Sequence, residues 1–79
     1  MKIVKIDRGS IEIDMGGYVL RIVGEAMTPK QVPELSEYVL YKNSMSWLDN
    51  RAHPAMDEKI LFSFLEKDLL KRNLRLIIA

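Results

Sequence analysis

The stretch KIVKIDRGSIEIDMGGYVLRIV, Lys2 to Val23, decides how this chain folds. Turned at Arg8-Gly9, it sets Ile6 opposite Ile11, Val4 opposite Ile13 and Lys5 opposite Glu12. Turned again at Gly16-Gly17, it sets Met15 opposite Tyr18, Ile13 opposite Leu20, Ile11 opposite Ile22 and Glu12 opposite Arg21. Two-residue loops containing glycine have the twist that a hairpin requires, and strand side chains alternate between faces. Both turns therefore predict the same arrangement: apolar residues on one face, and a Lys5–Glu12–Arg21 row on the other. A slip of one residue would drive that row into the core, which is what specifies the pairing.

Three strands follow, about Lys2–Asp7, Ser10–Met15 and Tyr18–Val23. The predicted core face is Val4, Ile6, Ile11, Ile13, Met15, Tyr18, Leu20 and Ile22. The predicted outward face is Ile3, Lys5, Asp7, Ser10, Glu12, Asp14, Val19, Arg21 and Val23. Beyond it, Gly24, Thr28-Pro29 and Val32-Pro33 break any period, so Gly24–Ser36 reads as a long irregular connection. Glu37–Met45 reads as a fourth strand with large residues on both faces, unless Asn43-Ser44 ends it early. Its core face is left unassigned.

Asp57–Arg72 has helical spacing over about 24 Å. Asp57 and Glu58 suit the positive end of the helix dipole, and Lys71 and Arg72 the negative end. Asn73 suits the left-handed residue that stops a helix, and Asp68 and Arg72 form a favourable i,i+4 pair. Leu61, Leu65 and Leu69 make the stripe that covers a sheet. Ile60 and Phe64, with Lys67 and Lys71 below them, make a second stripe, which is either a wide core arc or an interaction face. Leu74–Ala79 reads as a last strand. It lies parallel to strand four by a right-handed crossover or antiparallel beside strand one. The expected fold is α+β: a mostly antiparallel sheet of about five strands in the order βββ-β-α-β, one face covered by the helix, residues 1–79 forming one domain.

Composition narrows function mainly by exclusion. A chain of 79 residues buries only about 60–65% of its unfolded surface. With 48% apolar and 29% charged residues it has a globular composition. It has no cysteine and therefore no thiolate metal site or disulfide. Its 12 basic and 11 acidic residues interleave to a net charge of +1, unlike the clustered excess of a nucleic-acid binder. Tyr38 and Tyr41, three apart on a strand, fall on opposite faces and cannot form one base-stacking platform. No apolar run approaches the roughly 20 residues that cross a bilayer, and the chain opens on strand pattern rather than a signal peptide. The expectation is a cytoplasmic protein without a cofactor, metal, membrane or nucleic-acid partner.

Between strand four and the helix, Ser46 to Pro54 gathers Trp47, Asp49, Asn50, Arg51 and His53. Trp and Arg are the residue types most enriched at binding hot spots. Trp47 equally suits a plug at the open end of the core. An Asp49–His53 dyad would draw its hydroxyl from Ser44 or Ser46, with nothing in the spacing to enforce the geometry. The partner-binding candidates are Trp47, Asp49, Arg51, His53, Ile60 and Phe64.

Residues 38–79 resemble small immunity-type proteins of bacterial toxin–immunity systems. The resemblance rests on the aromatic strand Tyr38-Val39-Leu40-Tyr41, then Ser46-Trp47, a short polar loop with Pro54, the acid-opened helix Asp57-Glu58-Lys59-Ile60-Leu61 and a brief final strand. It implies a bacterial, non-enzymatic protein that binds and neutralises a toxin. Two other readings accompany it. One is a structural homodimer formed through the Ile60/Phe64 stripe or through Ile3, Val19 and Val23. The other is a small enzyme using Asp49 and His53.

Overall fold

The computed structural model describes residues 1–27, 36–48 and 56–79. Strands β1 (Lys2–Ile6), β2 (Ser10–Asp14) and β3 (Val19–Met27) form an antiparallel meander. β4 (Ser36–Leu40) lies antiparallel to β3, a 3-10 turn covers Lys42–Ser44, and the short β5 (Ser46–Trp47) also pairs with β3. Helix α1 (Glu58–Lys71) then returns the chain to β6 (Leu74–Ile78), parallel to β4. The strand order is β1-β2-β3-β4-β6, with β5 off that path on β3. This is the expected α+β architecture, and it settles the last strand in favour of the parallel crossover.

The second hairpin has the register read from the sequence: Ile11 opposite Ile22, Glu12 opposite Arg21, Ile13 opposite Leu20, and the Met15 N–H on the Tyr18 carbonyl at 2.7 Å. Gly16 and Gly17 both have positive φ, 96° and 92°. Only glycine adopts that backbone freely. The first hairpin differs by one residue. Ile6 faces Ile11 and Lys5 faces Glu12, but Ile3, not Val4, faces Ile13, because the register shifts between Ile3 and Lys5. This β-bulge reverses the predicted faces of Ile3 and Val4, while Lys5 and Ile6 keep theirs. Ile3 is 9% exposed in the core, while Val4 is 49% exposed. The bulge buries the larger of two adjacent aliphatics, about one extra methylene, at an edge where bulges are common. Ile3 is therefore unavailable to the outward dimer face suggested by the sequence. Ser10 is also corrected, since it is buried, with its hydroxyl donating to Asp7 Oδ1 at 3.4 Å.

Two aspartates hold the two turns. Asp7 Oδ1 accepts from the Gly9 and Ser10 N–H groups, each at 2.9 Å. Asp14 Oδ1 accepts from those of Gly16 and Gly17, each at 2.9 Å. Those N–H groups lower both carboxyl pKa values, Gly9 foremost for Asp7 and Gly17 foremost for Asp14.

Gly24 does not break β3, which continues to Met27. The strand passes from one set of partners to another at this point. The Gly24 and Ala26 N–H groups donate to the Gly9 and Arg8 carbonyls of the first turn, while Gly24 and Ala26 face Leu40 and Tyr38 of β4 on the other side. A Cβ on Gly24 would lie 2.5 Å from Tyr38 Cε1 and 2.5 Å from the Val39 carbonyl oxygen. The glycine is there because the Tyr38 ring occupies that space. The Tyr38 hydroxyl reaches beyond it to donate to the Asp7 carbonyl at 2.6 Å.

β4 ends early, as Asn43-Ser44 allowed. The 3-10 turn keeps the β3 ladder satisfied, because Ser44 Oγ accepts from the Val23 N–H at 3.0 Å and donates to the Tyr41 carbonyl at 2.6 Å. Tyr38 and Leu40 are buried, which assigns the core face of β4, and Tyr41 points the other way at 39% exposure. α1 starts at Asp57, which acts as N-cap rather than first-turn residue by accepting from Lys59 N at 2.9 Å and Ile60 N at 3.3 Å. It stops at Asn73, whose φ is 59°. Asp68 and Arg72 pair at 3.3 Å. Leu61, Leu65 and Leu69, none of them exposed, close one core with Ile3, Ile11, Ile13, Leu20, Ile22, Tyr38 and Leu40.

Three stability measurements follow from this packing. Gly24→Ala lowers the free energy of unfolding in urea by about 1–3 kcal/mol, the range for overpacking against fixed neighbours. Tyr38→Phe lowers it by about 1 kcal/mol at neutral pH. Burial, with the Asp7 charge second, pushes the Tyr38 hydroxyl from 10.0 up to about 12. The unfolded chain therefore loses that proton first, and native stability falls as pH rises from 10 towards 12. Tyr38→Phe flattens the fall. For Asp14 the sign is opposite: its lowered pKa stabilises the fold above the ordinary value of 3.8 and ceases to do so as pH falls below it. Asp14→Asn keeps an acceptor oxygen without the charge, so its melting temperature declines less than the wild type's between about pH 5 and pH 2.

Candidate interaction surface

Of the six partner-binding candidates, Trp47, Ile60 and Phe64 lie among the described residues. Asp49, Arg51 and His53 lie outside them, and so does any Asp49–His53 arrangement. Trp47 stands on β5 opposite Leu20, and the Leu48 N–H donates to the Val19 carbonyl at 3.0 Å. Its ring meets that of Tyr18 edge to face, with centroids 6.3 Å apart and planes at 78°. It is partly buried against the core. The structure thus makes Trp47 a packing residue at the sheet margin, with one part left at the surface.

Ile60 and Phe64 come together. They sit one helical turn apart on the flank of α1 away from the buried Leu61–Leu65–Leu69 line, and with Met1, Lys59, Ser63 and Lys67 they line an open depression of about 450 Å³. Ile60 is 58% exposed, whereas Phe64 also packs partly against the core. The second helical stripe is therefore divided: Phe64 belongs to a wide core arc, and Ile60 is a free apolar surface. Met1, Lys59 and Ser63 are members that the helical pattern did not single out. Met1 joins the lining from just before the start of β1, and i,i+4 spacing carries no signal of that. Trp47 does not line this depression.

The lining pairs aliphatic and aromatic carbon with two ammonium groups, Lys59 and Lys67. Such a surface suits an apolar side chain flanked by carboxylates on a partner. The described residues contain no cluster of three or more His, Cys, Asp or Glu able to hold a metal ion, and no buried side-chain polar atom among them lacks a partner. Ser44, one of the two hydroxyls offered to an Asp49–His53 dyad, is occupied in the β3 ladder. No described helix is long and apolar enough to cross a membrane.

Against this fold and surface, the sequence model of the family described as Immunity protein 74 matches residues 3–78. The chain belongs to that family. The match covers the N-terminal meander as well as the aromatic strand, helix and last strand that carry the sequence resemblance. No curated protein and no solved structure matches the chain at a significant level.

Neighbouring helix positions separate surface from core in this immunity-family protein. Ile60→Glu changes the free energy of unfolding by no more than about 0.5 kcal/mol, whereas Leu61→Ala lowers it by about 2–5 kcal/mol. Urea unfolding of both variants measures the contrast.

Proposed function

We propose that this protein is a non-catalytic immunity protein of bacteria that binds a protein toxin in the cytoplasm and neutralises it. Family membership over residues 3–78 is the observation that carries this reading. The depression lined by Ile60 and Phe64 supports it by offering a contact that folding does not consume: Ile60 is 58% exposed on a helix whose core stripe is already complete. In this reading Ile60 and Phe64 form the apolar centre of the toxin contact. Lys59 and Lys67 flank them and face acidic residues of the toxin. Trp47, Asp49, Arg51 and His53 extend the contact across the segment that precedes the helix.

Inhibition by such a protein is a matter of occupancy. The immunity protein covers the toxin's working surface and contributes no bond-making group. Apolar contact at the centre sets residence time, while the lysines speed encounter and lose effect as salt rises.

The test uses the tagged protein as bait in its source cell, with mass spectrometry of what it retains. The wild type is expected to retain one specific protein whose expression alone arrests growth and whose co-expression with the bait does not. Ile60→Glu, which folds, is expected to lose most of that retention and of the protection. Absence of any specific retained protein across several growth conditions, or retention and protection indifferent to Ile60→Glu, would overturn the assignment of function or of surface respectively.

A further inference from the structure

The two edges of the sheet are built differently. β1 carries a bulge at Val4 and two lysines, Lys2 and Lys5, devices that keep a strand from accepting another. β6 has the sequence LRLII, pairs continuously with β4 along its full length, and contains a single charge. Among the described residues it is paired on one side only.

Backbone geometry shows which groups face the open side. In a parallel ladder alternate residues turn their N–H and C=O to the same neighbour. The Asn73 carbonyl accepts from Ser36, and Ala79 both donates to the Leu40 carbonyl and accepts from Lys42. Arg75 and Ile77, in phase with these two, are thereby bonded to β4. The N–H and C=O groups of Leu74, Leu76 and Ile78 point outward.

From this geometry we infer that β6 pairs with β6 of a second copy of the chain, antiparallel about a two-fold axis at Leu76, so that one sheet continues through both molecules. Chain chemistry selects this occupant and this register. An antiparallel partner that leaves each face on its own side must pair Leu74, Leu76 and Ile78 among themselves, and Arg75 with Ile77, with Ala79 or with its own kind. An axis at Arg75 would oppose two guanidinium groups. An axis at Ile77 would set Arg75 opposite Ala79, whose methyl gives the arginine stem little apolar surface to lie on. The axis at Leu76 pairs the whole strand: Leu74 with Ile78, Leu76 with Leu76, and Arg75 with Ile77. Each outward N–H then meets an outward C=O. Arg75 keeps its own Glu37, 3.4 Å away on β4, and its aliphatic stem lies on Ile77 of the second copy. Both helices lie on the same face of the joined sheet, and the two-fold symmetry closes the assembly at a dimer. This association uses neither Ile60 nor Phe64, so it stands or falls independently of the toxin reading.

Sedimentation of the full chain from micromolar to millimolar concentration tests it. The wild type is expected to dimerise reversibly, and Ile78→Pro, which deletes an outward N–H while leaving the Ala79 bond to β4, to abolish the dimer with its circular dichroism retained. The register is read from two charges at one position opposite Arg75 of the second copy. The dissociation constant for Ile77→Glu is expected to be lower than that for Ile77→Arg by roughly fourfold or more, the sum of two symmetry-related attractions against two repulsions. This comparison also holds if Ile78→Pro fails to fold. A wild type that is monomeric throughout the range overturns the inference, as does a dimer in which Ile77→Glu and Ile77→Arg associate equally.

Discussion

One hydrogen bond ties together elements that are far apart in the sequence: the Tyr38 hydroxyl donating to the Asp7 carbonyl at 2.6 Å. Its geometry is possible because Gly24 has no side chain, so the Tyr38 ring can lie across β3 to reach the first turn. The same turn receives the Gly24 and Ala26 N–H groups on its Gly9 and Arg8 carbonyls. Asp7 stabilises the turn by accepting from Gly9 and Ser10 and presents its own carbonyl to the tyrosine. A ring, a glycine and a turn aspartate thus fix where β4 lies on β3. Once β4 is placed, β6 has its partner and α1 its site, since both follow from the parallel crossover.

β3 is the strand that makes this economical. Its first half pairs with β2 and its second half with β4, and on the β4 side β5 returns to pair with Leu20 and Arg21. The excursion between β4 and β5 would leave the Val23 N–H without a ladder partner, and Ser44 Oγ supplies one. The position is exposed, so the bond contributes on the order of 1 kcal/mol at most and serves chiefly to keep the ladder continuous through the 3-10 turn. With the core closed by Leu61, Leu65 and Leu69, apolar surface such as Ile60 is left outside it.

The functional candidates divide along the same line between folding and surplus. Trp47, chosen for its residue type, is engaged with Tyr18 and Leu20, since a large aromatic ring at a sheet margin gains by packing against neighbouring apolar side chains. Phe64 is shared between core and surface, and Ile60 is left to the surface. Tyr41, on the face opposite Tyr38, donates to Glu25 at 3.2 Å, a bond that raises its pKa. The two rings form no common platform.

By itself the sequence determined what depends on near neighbours: the second hairpin and its register, the Lys5–Glu12–Arg21 row, the limits of α1, its leucine stripe and the stop at Asn73. Turn chemistry, alternation and helical periodicity act over a few residues and leave a periodic trace. The tertiary structure alone decided the inward turn of Ile3 in place of Val4, the passage of β3 through Gly24, the buried face of β4, the burial of Ser10, and the parallel placement of β6. Each of these depends on a contact across the sheet, where volume rather than period chooses. Gly24 reads locally as a breaker and proves to be a gap for Tyr38, and Ile3 and Val4 are equally apolar until a bulge selects the larger for the core. A pattern along the chain records which residues avoid water; it does not record which distant side chain takes up the space beside them.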